Sequence, residues 1–155
     1  MDVSYYKINN PVNQAWGEWL SGLATWDWWV TLTFRDPPIG TPGWTRPGYA
    51  TAKKGWRDFV GLLQAGIYRS DEQLKWFRAF EIQRWRGAPH IHALVGGLAE
   101  KRYLPAGNFW LMNYGYSKIE EYDKSLGAGY YLSKYVTKEL GDMDWGGLTT
   151  VEGSC

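Results

Sequence analysis

Cysteine is almost absent from these 155 residues: Cys155 is the single thiol, so no disulfide can form within the chain, and the composition suits a reducing compartment. Histidine is nearly as scarce. Only His90 and His92 occur, so imidazole chemistry has one location. A charge excess is missing too, with 17 basic residues against 16 acidic ones, so net charge gives no argument for a polyanionic partner. Any such case must come from local features. No apolar run approaches the roughly 18 to 20 residues that span a bilayer, and no basic segment precedes an apolar one at the start. A cytoplasmic chain without a membrane partner is expected. No Gly-x-x-x-x-Gly-Lys-Ser/Thr sequence occurs, which removes a P-loop motor, and hence helicase activity, from this chain.

What abounds is aromatic. Eleven Trp and eleven Tyr far exceed ordinary usage, and both residue types can pack a core or stack on bases. The length suits one domain with one core, so residues 1–155 are expected to carry a single active site.

The apolar spacing of Trp16, Trp19, Leu20 and Leu23 after Pro11 predicts a helix over 11–24. Trp28 to Phe34 is β-branched and aromatic and predicts a buried strand. Asp36 to Ala50, with four prolines and three glycines, predicts a long loop in which Trp44 and Arg46 could touch a partner. A helix over 51–68 would bury Trp56, Phe59, Val60, Leu63 and Ile67. Residues 75–84 and 89–95 read as a hairpin turning at Arg86-Gly87-Ala88, 115–122 as a strand, and 129–140 as a last helix. Residues around Pro105 and Trp110 give no clear pattern. This order predicts an α+β fold, an antiparallel sheet with flanking helices.

In a strand, residues two apart share a face, so His90 and His92 project together while Ile91, Ala93 and Val95 point into the core. Across the hairpin, Glu81 and Gln83 share the face that can meet them. Two imidazoles and one carboxylate leave coordination positions open, which suits Mn²⁺ or Mg²⁺ acting on phosphate. Glu81 is the expected third ligand and Gln83 the reserve, although Glu81 could instead pair with Arg84 or Arg86. On the last helix Tyr131 and Tyr135 lie one turn apart, each followed three residues later by a lysine, Lys134 and Lys138. A phenol has a pKa near 10, so attack at neutral pH needs a neighbouring cation, which these lysines can supply. Tyr131, nearer the helix start, is expected to attack first, after Gly127 and Gly129, which would let a DNA backbone approach. Tyr135 would either attack second or pack beside the site. Together these are the parts of phosphoryl transfer. The basic and aromatic residues expected to hold a strand are Arg35, Trp44, Arg46, Arg84 and Arg86.

On three segments the chain strongly resembles the HUH endonuclease superfamily, named for its histidine, hydrophobic, histidine triplet. WVTLTF at 29–34 is similar to its first motif, EIQRWRGAPHIHALV at 81–95 to the metal-binding motif, and YYLSKYVTKEL at 130–140 to the nucleophile motif. The doubled Tyr-x-x-Lys looks most like the two-tyrosine initiators. The resemblance implies a five-stranded antiparallel sheet of RNA-recognition-like topology. It also implies metal-dependent nicking and joining of single-stranded DNA or an origin hairpin, through a covalent 5′-phosphotyrosine, to start rolling-circle replication, with a host helicase as a further partner. The Glu81 to His90 spacing is a residue longer than in many members, with Trp85 the extra residue. The alternatives are a transposase or relaxase of the same superfamily and a non-catalytic single-stranded DNA-binding module. A cupin-type oxygenase is disfavoured because Gly96, not a carboxylate, stands four residues after His92.

Overall fold

The computed structural model describes residues 11–36, 40, 47–82, 89–135 and 142–148, without the side chains of 11–14, 82 and 132–135. Its elements are α1 (Pro11–Leu23), β1 (Trp28–Leu32), α2 (Tyr49–Leu63), a 3₁₀ turn (Gly66–Tyr68), β2 (Lys75–Ile82), β3 (Pro89–Gly96), α3 (Leu104–Asn113), β4 (Ser117–Glu121), α4 (Gly127–Tyr135) and β5 (Met143–Gly146). The strands form one five-stranded sheet in the order β4-β1-β3-β2-β5, and every neighbouring pair is antiparallel. This is the expected α+β architecture.

Strand alternation gives the sheet two unlike faces. On one, Val30, Leu32, Phe80, Ile91, Ala93 and Val95 pack against Trp56, Phe59 and Leu63 of α2 and Ala106 and Trp110 of α3. On the other, Trp29, Phe77, Ala79 and Leu94 pack against Leu20 of α1 and Ala128 and Tyr131 of α4. Helices α1 and α4 meet where a methyl group on Gly17 would come within 2.4 Å of the Gly129 Cα. Gly127 opens α4 at a φ of +76°, a conformation that favours glycine. The room at Gly129 is therefore taken by α1, where the sequence suggested room for DNA.

Several boundaries differ from the pattern in the sequence. Helix α2 stops at Leu63 and the chain turns, which leaves Ile67, expected in the core, 56% exposed. The unclear stretch around Pro105 is helix α3, with the proline in the first turn, where its missing N–H has no partner to lose. Strand β5 carried no recognised signal, being four residues on the sheet edge with an alternation too short to read. Buried Arg78 fastens it to β2. Its guanidinium lies 3.9 Å over the Phe80 ring, donates to the Asp142 carbonyl at 3.0 Å, and pairs with the Asp142 and Asp144 carboxylates.

Candidate active site

The register of β2 and β3 places Glu81 opposite His90 and Ala79 opposite His92, while β1 places Thr31 on the other side of His92. All five therefore lie on the face covered by α1 and α4. A long side chain can reach its diagonal cross-strand neighbour. Glu81 does so, and its Oε2 lies 2.7 Å from His92 Nε2. The small Ala79 directly across leaves space for that reach. The other ring nitrogen, His92 Nδ1, lies 3.3 Å from the Thr31 hydroxyl, and Trp29 stacks on the imidazole with centroids 6.2 Å apart and planes 10° apart. His92 is thus held on three sides. It is only 3% exposed, with the Trp29 ring stacked on it. The His90 ring lies 6.2 Å from it, centroid to centroid, and tilted by 70°.

A carboxylate oxygen and an imidazole nitrogen at 2.7 Å must share a proton or a cation, since two lone pairs at that distance repel. The donor set of Glu81 and His92, with His90 alongside, fits a divalent ion chemically. Among the described residues no group of three His, Cys, Asp or Glu side chains is already gathered as a metal-holding cluster. His90 stands in register directly opposite Glu81. Gln83, Arg84 and Arg86 lie outside the described residues, as do Trp44, Arg46 and Lys138. Arg35 is exposed just beyond β1, its amide bonded to the Tyr114 carbonyl.

The tyrosine helix crosses the same face. Tyr131 is 4% exposed, stacks on Trp29 at 5.3 Å and lies against the tilted Tyr122 ring at 5.3 Å. Its hydroxyl accepts the Asp123 amide hydrogen at 2.8 Å. Burial pushes the Tyr131 phenol above its ordinary pKa, and the Asp123 amide pulls it only partly back. This runs against the phenolate expected at the helix start. Tyr135 and Lys134 are described as helix backbone only.

Thr31 and Trp29, which frame His92, were not singled out in the sequence as parts of the site. The signal was present, since alternation in WVTLTF puts both on the face opposite Val30 and Leu32. No helix among the described residues is long and apolar enough to cross a membrane. No curated protein and no solved structure matches the chain. A family model described as replication-associated protein ORF2 does match, over residues 27–140, which takes in β1 to β4, the Glu81 and His92 pair and all of α4. On that match, over well more than half its length, the chain belongs to the replication-associated protein ORF2 family.

Proposed function

We propose that the chain is a metal-dependent endonuclease of the HUH type that nicks and rejoins single-stranded DNA to initiate rolling-circle replication. The observation that carries this reading is the 2.7 Å contact of Glu81 with His92, in register with His90 and beneath the tyrosine helix. A Mn²⁺ or Mg²⁺ ion taking the place of the shared proton would polarise the scissile phosphate. Glu81, His90 and His92 would hold it, with Gln83 in reserve, and Thr31 would keep Nδ1 occupied so that Nε2 faces the ion.

A tyrosine oxygen attacks phosphorus, the bond from phosphorus to the 3′ oxygen breaks, and that oxygen leaves as a hydroxyl after taking a proton. The 5′ phosphate stays on the tyrosine. Return attack by a 3′ hydroxyl rebuilds the strand and frees the phenol. Between the two tyrosines, the buried setting of Tyr131 favours Tyr135 for the first transfer. Tyr131 would serve a second transfer once its packing opens. Lys134 and Lys138 would offset charge on the phenolate and the phosphate, and Arg35, Trp44, Arg46, Arg84 and Arg86 would hold the strand.

The test is incubation with Mn²⁺ and a pool of single-stranded oligonucleotides, followed by heating in detergent. A shifted band that survives is expected from the wild type. It should vanish in EDTA, with His92→Ala and with Tyr135→Phe. An undiminished adduct in EDTA overturns the metal assignment. Loss with Tyr131→Phe alone moves the first attack to Tyr131.

A further inference from the structure

Most tryptophans of known placement lie in the two cores, but Trp19 and Trp145 do not. They are 39% and 40% exposed, and with Trp16 and Ala15 they line an open cavity of about 360 Å³ between α1 and the edge strand β5. Trp16 meets Trp19 edge to face at 5.3 Å, and Trp19 meets Trp145 in the same way at 5.7 Å. Trp16 also rests against Phe77 at 6.0 Å, which anchors the group to the sheet. Edge-to-face pairing fixes the rings without stacking them on one another, so ring faces remain for a third planar group.

We infer that this slot is a base-stacking subsite for the single-stranded DNA, a reading that rests on the nicking function proposed above. Three features select a nucleobase. The lining is indole and one methyl group, with no charged side chain, which suits a flat π-system better than a phosphate or a charged peptide. Trp145 pairs with Phe77, and Phe77 precedes Glu81 by four residues on the same face. The slot therefore lies on the order of 14 Å from the Glu81 position, given about 3.3 Å per strand residue and 4.8 Å between strands. A strand with roughly 3.4 Å between stacked bases covers that in about four nucleotides. Lys75 follows in the next row of that face, its Cα beside Gly147, and offers a cation to the backbone of the same strand. A second copy of this chain is the poorer occupant. A stable dimer buries about 800 Å² per partner, well beyond what a slot for one or two rings supplies.

The experiment measures anisotropy of a labelled 20-residue thymidine strand, and of an abasic strand of equal length, with the full chain in EDTA so that no cleavage intervenes. Trp19→Ala and Trp145→Ala should each weaken binding of the thymidine strand about five- to a hundredfold, the range for losing one stacked base. Binding of the abasic strand should not change, and Trp19→Phe should restore part of the loss. Equal weakening on both strands would mean damage to the fold and overturns the subsite. So does unchanged binding of the thymidine strand by a variant, including the case in which wild type sediments as a dimer and Trp19→Ala as a monomer. If the wild type binds neither strand, the nicking function fails together with the subsite. If it binds strands and forms the adduct while the tryptophan variants bind normally, only the subsite fails.

Discussion

The two faces of the sheet are built from the same five strands and differ in what they can spare. The face under α2 and α3 is a mostly apolar core in which Val30, Ala93 and Ile91 have no exposed surface, with the charged Arg78 buried only towards the β5 edge. The face under α1 and α4 inserts Thr31, His92 and Glu81 among Trp29, Ala79 and Tyr131. Polar groups inside a protein persist when each finds a partner. Here His92 finds Glu81 on one nitrogen and Thr31 on the other. One face supplies stability, and the other uses part of it to hold a polar pair in place.

The largest expected effect breaks the first face. Trp110 is fully buried, meets the rings of Phe34 and Phe59, and donates its indole hydrogen to the Thr33 carbonyl at 2.8 Å. Trp110→Ala leaves a cavity and a carbonyl without its donor, and should cost about 3–5 kcal/mol of unfolding free energy. Urea titration followed by circular dichroism measures it. A loss below about 1 kcal/mol would show that the face is not the stabilising one.

Next comes the helix crossing on the second face. Gly17→Ala drives a methyl group into the Gly129 backbone, so α1 and α4 must move apart. Overpacking of this kind costs about 1–3 kcal/mol. Adduct formation should fall further than stability does, because α4 carries Tyr131 and Tyr135. Equal effects on both would uncouple helix placement from the chemistry.

A subtler change separates the polar pair from its support. Thr31→Val keeps the shape of the side chain and removes the hydroxyl beside Nδ1. On the proposed function, loss of such a supporting bond lowers metal affinity or nicking about 10–100-fold. Titrating Mn²⁺ against nicking rate checks this, with urea titration to confirm that the sheet is intact. Nicking at the wild-type rate at every Mn²⁺ concentration would remove Thr31 from the site.

How much of this was legible depended on the range of the interaction. His90 and His92 could be placed on one face from alternation alone, and the α+β class followed from the order of periodic segments. That Glu81 reaches the diagonal His92 depends on register and on the smallness of Ala79, which no single strand reveals. The burial of Tyr131 was illegible for a similar reason. Its cover comes from Trp29 and Tyr122, about 100 and nine residues away along the chain. Helix periodicity states which residues share a side and not what that side meets. Strand β5 escaped because four residues on an edge give alternation too little length, and α3 because Pro105 reads as a break when it is a first-turn residue.

The smallest expected effect sharpens the contrast at Tyr131 itself. Burial raises its pKa, the Asp123 amide opposes this, and the nearby charges of Asp123 and Glu120 and the Tyr122 phenol raise it again. The unfolded phenol titrates near 10, so the folded state holds its proton to higher pH than the unfolded state. The sign follows from proton counts: between the two values the native state binds more protons, and unfolding free energy falls as pH rises. The contribution is fully present below about pH 10 and is lost as pH climbs through the raised folded value. Tyr122 and Tyr68 are raised by burial too, so the wild-type decline is shared among several rings. Tyr131→Phe keeps the stacking on Trp29 and removes one titrating group. It should flatten the decline of stability above about pH 10 while leaving the other tyrosines to titrate. Urea midpoints for both proteins at about pH 8 and about pH 10.5 measure the difference. Identical declines would mean that the Tyr131 hydroxyl is not buried in solution, and would return it as a candidate for the first attack.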